Sequence, residues 1–320
     1  MRMREDARRS KRWALAVAAV VGATAVLTAC SPAGTPAPSA TASETPAGRA
    51  GAVDIGDGRE IYLECHGSGS PTVILVSGVG DSAEIWSTPG AEGSDTPTVY
   101  GEVAEFTRVC AYDRPGTSDR STAVAQPTSP QTSVDDLEKL LAASGETGPF
   151  VLVGHSYGGP IIRLFASDHP DQVAGLVVID GLSEDLDAEL TPEQRVLIEQ
   201  LNAPTQPDAE SFDLSTVVAQ LRDSDPVPDV PVIILTADTS QLTPELIASG
   251  QLPAGLDQSV ADALWAAQLA AQGKLTSKFV HAKHVTDTHS DHYIHLGNPQ
   301  LVIDSIREVV DAAKSGGADG

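Results

Sequence analysis

Basic residues are scarce in this chain. Over 320 residues, 20 lysines and arginines stand against 44 aspartates and glutamates, for a formal net charge of -24. Binding to nucleic acid needs clustered Lys and Arg to replace the counterions of phosphates, so this balance argues against such a partner. The acid excess otherwise marks a solvated surface and says little about substrate. Cysteine is rarer still, at three residues. The most membrane-like apolar stretch, residues 13–26, is alanine-rich and short for a membrane-spanning helix. No internal repeat is evident, so the length allows one large or two ordinary domains. A hydrophobic content of 41% is enough for a sizeable core.

The amino terminus has the pattern of an export leader. Arg2, Arg4, Arg8, Arg9, Lys11 and Arg12 precede the apolar stretch, which ends in Leu27-Thr28-Ala29-Cys30. That ending resembles a bacterial lipobox, in which the cysteine is lipidated and becomes the mature N-terminus. The expectation is a signal peptide over 1–29 and a lipid on Cys30. Two or more acyl chains there would hold the protein on the outer face of the membrane. The competing reading is an uncleaved anchor, and the Arg8-Arg9 pair does not decide the export route. Residues 30–50 are dominated by Pro, Ala, Ser and Thr with almost no large apolar side chain, and are expected to be a tether. Cys65 and Cys110 then remain as an even pair in an exported domain, where a disulfide is the default. Two buried free thiols are the alternative.

Gly154-His155-Ser156-Tyr157-Gly158 organises the rest of the chain. It follows the apolar run Phe150-Val151-Leu152-Val153 and leads into Ile161-Ile162-Arg163-Leu164-Phe165-Ala166. G-x-S-x-G between a buried strand and a helix is the nucleophile-elbow pattern. The serine must sit on a sharp, strained turn, and glycines on either side let strand and helix approach. The helix then points its positive end at the place where an oxyanion would form.

Around this motif, apolar runs alternate with helical patterns. A hairpin is expected at residues 53–65 with an Asp57-Gly58 turn, and strands at 71–77, 107–112, 150–154, 173–179, 231–236 and 277–284. Residues 133–143 read as an amphipathic helix with Ser133 and Asp136 as a capping box. A helix over 299–313 opens on Pro299 and buries Leu301, Val302, Ile306, Val309 and Val310. The alternation predicts a mostly parallel sheet covered on both faces. Residues 183–228 do not fit the minimal alternation and are expected to form a small inserted cap. A helical stretch within 242–272 could join the cap or pack on the sheet.

These pieces together resemble the α/β-hydrolase superfamily over residues 52–313, and most closely its exported actinobacterial members. The resemblance rests on Tyr62-Leu63-Glu64-Cys65-His66-Gly67, Ser77-Gly78-Val79-Gly80, Cys110-Ala111-Tyr112-Asp113-Arg114-Pro115-Gly116, the elbow, and His292-Tyr293-Ile294-His295-Leu296 with Pro299. It implies an α/β-hydrolase fold over 51–314 with an eight-stranded sheet, followed by a C-terminal tail over 315–320. It also places the strands of Cys65 and Cys110 side by side.

The resemblance implies that Ser156 is the nucleophile and that a C-terminal histidine is its base, in the order Ser, Asp, His. His292 matches the motif among His281, His284, His289, His292 and His295, with His289 second. Asp180 and Asp238 both qualify as the acid, because each follows a strand at the carboxyl end of the sheet. Asp238 stands one place early against the usual glycine-spaced pattern, so Asp180 is favoured by a small margin. The oxyanion donors are expected to be the amides of Val79 and Tyr157. The family's usual histidine-glycine before the first donor is Ser77-Gly78 here.

His155 is read as an elbow residue, His66 and His169 as surface or loop residues, and Asp113-Arg114 as a brace for the oxyanion loop. Trp86 and Tyr157 are candidates for the pocket wall. The pairs His281/His284 and His292/His295 are spaced three apart but lack an accompanying carboxylate or cysteine pattern, which makes a weak zinc signal. No metal or organic cofactor is implied. The implied reaction is acyl transfer through a serine ester, with a small-molecule ester or acyl compound as substrate. A binding module that keeps the fold without catalysis is the rival from another class.

Overall fold

A computed structural model describes residues 48–90, 96–204 and 206–316. The expected signal peptide, Cys30 and nearly all of the tether lie outside the described residues. In chain order the elements are β1 (Arg49–Gly56), β2 (Arg59–His66), β3 (Val73–Val76), α1 (Val99–Ala104), β4 (Val109–Tyr112), α2 (Pro130–Ser144), β5 (Phe150–His155), α3 (Gly158–Asp168) and β6 (Val173–Ile179). There follow α4 (Leu186–Glu189), α5 (Pro192–Leu201), α6 (Leu214–Asp223), β7 (Val232–Leu235), α7 (Pro244–Ala248), α8 (Gln258–Leu275), β8 (Ala282–Val285), α9 (Ile294–Gly297) and α10 (Pro299–Gly316). Among the described residues no helix is long and apolar enough to cross a membrane.

The strands form one eight-stranded sheet in the order β1-β2-β4-β3-β5-β6-β7-β8. β1 pairs antiparallel with β2 and β2 with β4, and the remaining pairings are parallel. The central strands are apolar almost throughout, His155 at the end of β5 excepted, because both faces are covered. Alternation sends Ile74, Val76, Leu152 and Val178 to one face, with Leu137 and Leu140 of α2 and Ile161 and Phe165 of α3. It sends Leu75, Val153, Val177 and Ile179 to the other face, against Val103 of α1 and Val302, Ile306 and Val310 of α10. Each such fully buried side chain is worth about 1.5–3 kcal/mol relative to exposure.

Cys65 and Cys110 oppose each other across β2 and β4 and form a disulfide. Several boundaries differ from the sequence reading, and four of them have a visible cause or consequence. β1 starts at Arg49, inside the stretch read as tether, because Arg49 and Ala50 pair with Cys65 and Glu64 on β2. α2 starts at Pro130, capped by Ser129, whose hydroxyl accepts from the Thr132 amide. Ser133 and Asp136 are therefore inside the helix, and Asp136 receives a bidentate Arg59 guanidinium at 2.7 and 2.6 Å. The last strand is Ala282–Val285, not 277–284, because residues 276–278 close α8 in a 3-10 turn. α10 runs to Gly316, two residues into the stretch read as tail.

The cap is larger than residues 183–228. Leu186 of α4 and Leu214 and Val218 of α6 share an apolar cluster with Ala261, Leu264, Ala267 and Ala271 of α8. The stretch read ambiguously at 242–272 therefore joins the cap. Arg163 of α3 donates to both Glu184 oxygens at 2.7 and 3.0 Å, and Lys278 meets the same carboxylate at 3.1 Å. Gln272 of α8 donates to the Gly181 carbonyl at 2.5 Å.

Candidate active site

β5 runs straight into a turn that only small residues permit. A Cβ on Gly154 would fall 2.5 Å from the Gly158 carbonyl oxygen, and one on Gly158 would fall 2.3 Å from that of Val76. Between them Ser156 adopts φ 53°, in the left-handed region that non-glycine residues rarely occupy. The turn is held from both sides. The Ser156 amide donates to the Ile179 carbonyl at 3.0 Å, and the Ser156 carbonyl accepts from Gly159 and Leu182, each at 3.0 Å. Strain of this kind persists only where surrounding structure fixes it.

β6 ends in a second strained residue. Asp180 has φ 41° and is 2% exposed, and its amide donates to the Leu235 carbonyl at 2.7 Å. Its Oδ1 accepts from the Ala237 amide at 3.2 Å, and its Oδ2 accepts from His292 Nδ1 at 2.6 Å. With the proton fixed on Nδ1, the other nitrogen of His292 keeps its lone pair, which is the form a general base requires. Asp238 takes no part in this. Its two oxygens accept the amides of His289 and Ser290, each at 2.9 Å; desolvation is the largest single influence and raises its pKa, but these bonds and the His289 charge together outweigh it and hold the carboxyl below the usual range. The structure thus brings together Ser156, Asp180 and His292 along one cavity wall, and assigns Asp238 to a turn.

His155 stands behind the base. Its Nε2 lies 2.9 Å from the His292 carbonyl, which can only accept, so His155 carries its proton there. Burial, then the neighbouring histidines His295 and His292, push its pKa well below that of a free histidine. His295 is buried against Trp86, and burial drives its pKa down to about 3. Trp86 is accordingly a core residue 1% exposed, not a pocket residue. Tyr157 does reach the cavity and stacks on Phe212 at 4.8 Å between ring centroids.

The oxyanion loop after β3 is braced by charge. Arg114 donates to the carbonyls of Ser77 at 2.9 Å and Gly78 at 2.7 Å, and pairs with Glu210 at 2.6 Å. Glu210 in turn accepts from the Gly80 amide at 2.8 Å. Asp113 accepts from the Ala83 amide at 2.8 Å and pairs with Arg120. Val79 and Tyr157, whose amides are the expected oxyanion donors, both line the cavity beside Ser156. Glu210 was not anticipated. It lies 96 residues from Arg114 in sequence, in a cap segment with no motif of its own.

The remaining histidines are dispersed. His281 meets Asp229 on the surface, His284 bonds Thr236 Oγ1 at 2.8 Å, and His289 is exposed. His66 is exposed, and His169 follows the end of α3 with Nε2 3.9 Å from Glu138. Neither histidine pair read as a weak zinc signal converges, since His292 is bonded to Asp180 and His295 is buried on Trp86. Asp238, Asp287 and His289 do carry ligand-type atoms within 4.8 Å of one another on the surface, and Asp238 is already occupied by two amides.

The cavity over Ser156 measures about 1160 Å³. Leu186, Ile198, Leu201, Leu246, Leu264 and Trp265 contribute an apolar wall from the cap. A deep apolar cleft with a few convergent polar groups is the usual form of a small-molecule site.

Sheet order, elbow and an acid–histidine pair at the carboxyl ends of the strands define a protein of the α/β-hydrolase class. The chain belongs to the Alpha/beta hydrolase family, whose sequence profile matches residues 73–305. It is 34% identical over 126 residues to a putative carbamate hydrolase, RutD, of Caulobacter sp. (strain K31), covering 38% of this chain and 43% of that protein. Among solved structures it is similar to a thermophilic esterase from Thermogutta terrifontis, with TM-score 0.54 and 17% identity over 83% of this chain and 99% of the other. It is also similar to E-2-(acetamidomethylene)succinate hydrolase, with TM-score 0.53 and 20% identity over 83% of this chain and 100% of the other. Those two likenesses concern the fold. The first curated relatives it matches are covered over 20% to 43% of their own length.

Proposed function

We propose that the protein is a cell-envelope serine hydrolase that cleaves carboxylic esters or related acyl compounds. The observation that carries this reading is the 2.6 Å contact of His292 Nδ1 with Asp180 in the cavity that also holds the strained Ser156. Ser156 Oγ attacks the acyl carbon while His292 takes its proton, and the carbonyl oxygen becomes an oxyanion facing the amides of Val79 and Tyr157. His292 then protonates the leaving alcohol. A water that it deprotonates attacks the acyl-serine and returns the free acid. Asp180 keeps the imidazole in the right tautomer and offsets its positive charge.

The leader pattern before Cys30 supports an exported, lipid-anchored location, and the Cys65–Cys110 bridge accords with an oxidising compartment. Amides, thioesters and carbamates pass through the same tetrahedral geometry and belong in the same assay, as does cofactor-free peroxidase activity.

A fluorophosphonate probe tests the nucleophile: wild type is expected to be labelled at Ser156 and Ser156→Ala to remain unlabelled. An unlabelled, folded wild type would favour a binding protein on a hydrolase fold. A panel of p-nitrophenyl esters of increasing chain length, with amide, thioester and carbamate counterparts, then defines the acyl class.

A further inference from the structure

The two expected oxyanion donors are held by different parts of the chain. In a trans peptide unit the N–H points opposite to the carbonyl, so whatever grips that carbonyl aims the donor. For Tyr157 the carbonyl is that of Ser156, which accepts from the amides of Gly159 and Leu182, each at 3.0 Å. Gly159 belongs to α3 and Leu182 to the loop after β6, so this donor is aimed by the surroundings of the elbow itself.

For Val79 the carbonyl is that of Gly78. It accepts from Arg114 Nη2 at 2.7 Å, and the Ser77 carbonyl before it accepts from Nη1 at 2.9 Å. A longer bond from the Asp81 amide, at 3.2 Å, closes the turn within the same loop. The next peptide unit, between Val79 and Gly80, is held through the Gly80 amide, which donates to Glu210 Oε2 at 2.8 Å. The same carboxylate accepts from Arg114 Nε at 2.6 Å and from Nη2 at 2.9 Å. Both peptide units that flank the Val79 Cα are thus tied to one buried ion pair.

Glu210 comes to this pair from the cap. It lies between α5 and α6, and its neighbours fasten it to the core. The Glu210 amide donates to the Gly116 carbonyl at 3.0 Å, and the Ser211 amide to Gln126 Oε1 at 3.1 Å. The Ser211 carbonyl accepts from the Thr128 amide at 3.2 Å. The approach is close enough that a Cβ on Gly116 would fall 2.6 Å from the Glu210 nitrogen. Without the Glu210 carboxylate, the Arg114 fork would lack the anion that fixes its plane.

Taking the hydrolase reading of Ser156 as its basis, we propose that Glu210 is a positioning residue: from the cap it fixes the plane of the Arg114 guanidinium and so the direction of the Val79 oxyanion donor. The cap then contributes to the chemical step as well as to holding the acyl group. A preorganised donor counts where the oxyanion forms, in the transition state, and much less in the ground state. Loss of Glu210 therefore lowers kcat with little change in KM.

Glu210→Gln keeps the side-chain volume but offers one acceptor oxygen to three donors. On p-nitrophenyl butanoate, kcat per fluorophosphonate-titrated Ser156 is expected to fall about 10- to 100-fold, with KM within about threefold of wild type. That loss lies below the cost of removing a whole oxyanion donor. 1,1,1-Trifluoroheptan-2-one reads the same quantity without turnover. Ser156 Oγ adds to its carbonyl carbon, the Oγ proton passes to His292, and the C=O π electrons move onto oxygen as the oxyanion. Its Ki should rise by the factor by which kcat/KM falls.

Removing one charge of a buried pair is strongly destabilising. The double variant Arg114→Met/Glu210→Leu, which leaves neither charge, is therefore measured beside the single one, with folding of each checked by thermal melting. It should show a comparable loss of kcat and of ketone affinity. A cap fastener with no part in aiming the donor gives the opposite split in a folded variant: KM raised for long-chain esters, with kcat and ketone Ki within about threefold of wild type. That result overturns the proposal and leaves the hydrolase reading intact. A wild type that neither turns over esters nor takes the probe at Ser156 overturns both.

Discussion

At the scale of single residues the decisive feature is the pair of positive-φ positions, Ser156 at 53° and Asp180 at 41°. Each turns a side chain out of the strand direction at the carboxyl edge of the sheet, where an ordinary extended residue would continue the ladder. Asp180→Asn is expected to fold and to lose on the order of 10⁴ in kcat, because an amide cannot hold the working tautomer of His292. Asp238→Asn should instead lower stability modestly and change kcat by less than about tenfold, since its carboxylate serves two amides of a surface turn. Steady-state kinetics of the two variants on one ester separates the roles. The sequence made the serine and His292 legible through motifs, and both aspartates through their place after a strand. It could not choose firmly between those aspartates, because the choice depends on which one the His292 loop reaches across 112 residues. Glu210 left no local signal for the same reason: its meaning comes from Arg114, which lies 96 residues away along the chain.

At the scale of elements, the strands and the mostly parallel sheet were readable because both-sided burial writes continuous apolar runs, as in Val73-Ile74-Leu75-Val76. Element ends were less so. Ser129 and Ser133 are both plausible caps ahead of the same apolar face, and Pro130 at the first turn decided in favour of the earlier one. The cap was the least legible element, since most of its helices bury one another and the cavity, although α6 sends side chains, Val217 and Leu221, into the main core. An ion pair helps to dock it, beside the apolar packing of α6. Glu184 has its pKa drawn down to about 2: burial alone would raise it, and the Arg163 pair, with help from Lys278, more than offsets that. Removing Arg163 leaves a buried carboxylate with only Lys278. Arg163→Met should therefore cost up to about 3 kcal/mol in urea unfolding, at the lower end for a broken buried pair. It should also raise KM for long-chain esters severalfold more than for acetate, because Leu186 of α4, close to Glu184 in the chain, is part of the acyl wall. Equal effects on both chain lengths would show that the cap does not hold the acyl group.

At the scale of the whole molecule, two devices set stability, and they respond to different conditions. The Cys65–Cys110 bridge joins residues 45 apart and removes chain entropy from the unfolded state. Cys65→Ala with Cys110→Ala should cost about 4 kcal/mol in denaturant titration, on the loop-entropy scale for that length.

Protons act on the buried imidazoles. A free histidine takes up a proton near pH 6.5, whereas burial holds His295 neutral down to about 3 and pushes His155 well below its free value. Between those limits the unfolded chain binds more protons than the folded one, so stability rises with pH and is lost as pH falls. The slope is at most about 1.4 kcal/mol per pH unit per group, so His295 alone removes about 2.5 kcal/mol between about pH 6 and 4. Glu184 loses its own contribution only below the ordinary carboxylate range, which leaves pH 6.5 to 5 as the window where the histidines dominate. His295→Leu keeps a comparable volume beside Trp86 and cannot titrate. Its melting temperature should fall less steeply than that of wild type from pH 7 to 5, and parallel curves would mean that His295 gains a partner or solvent on folding.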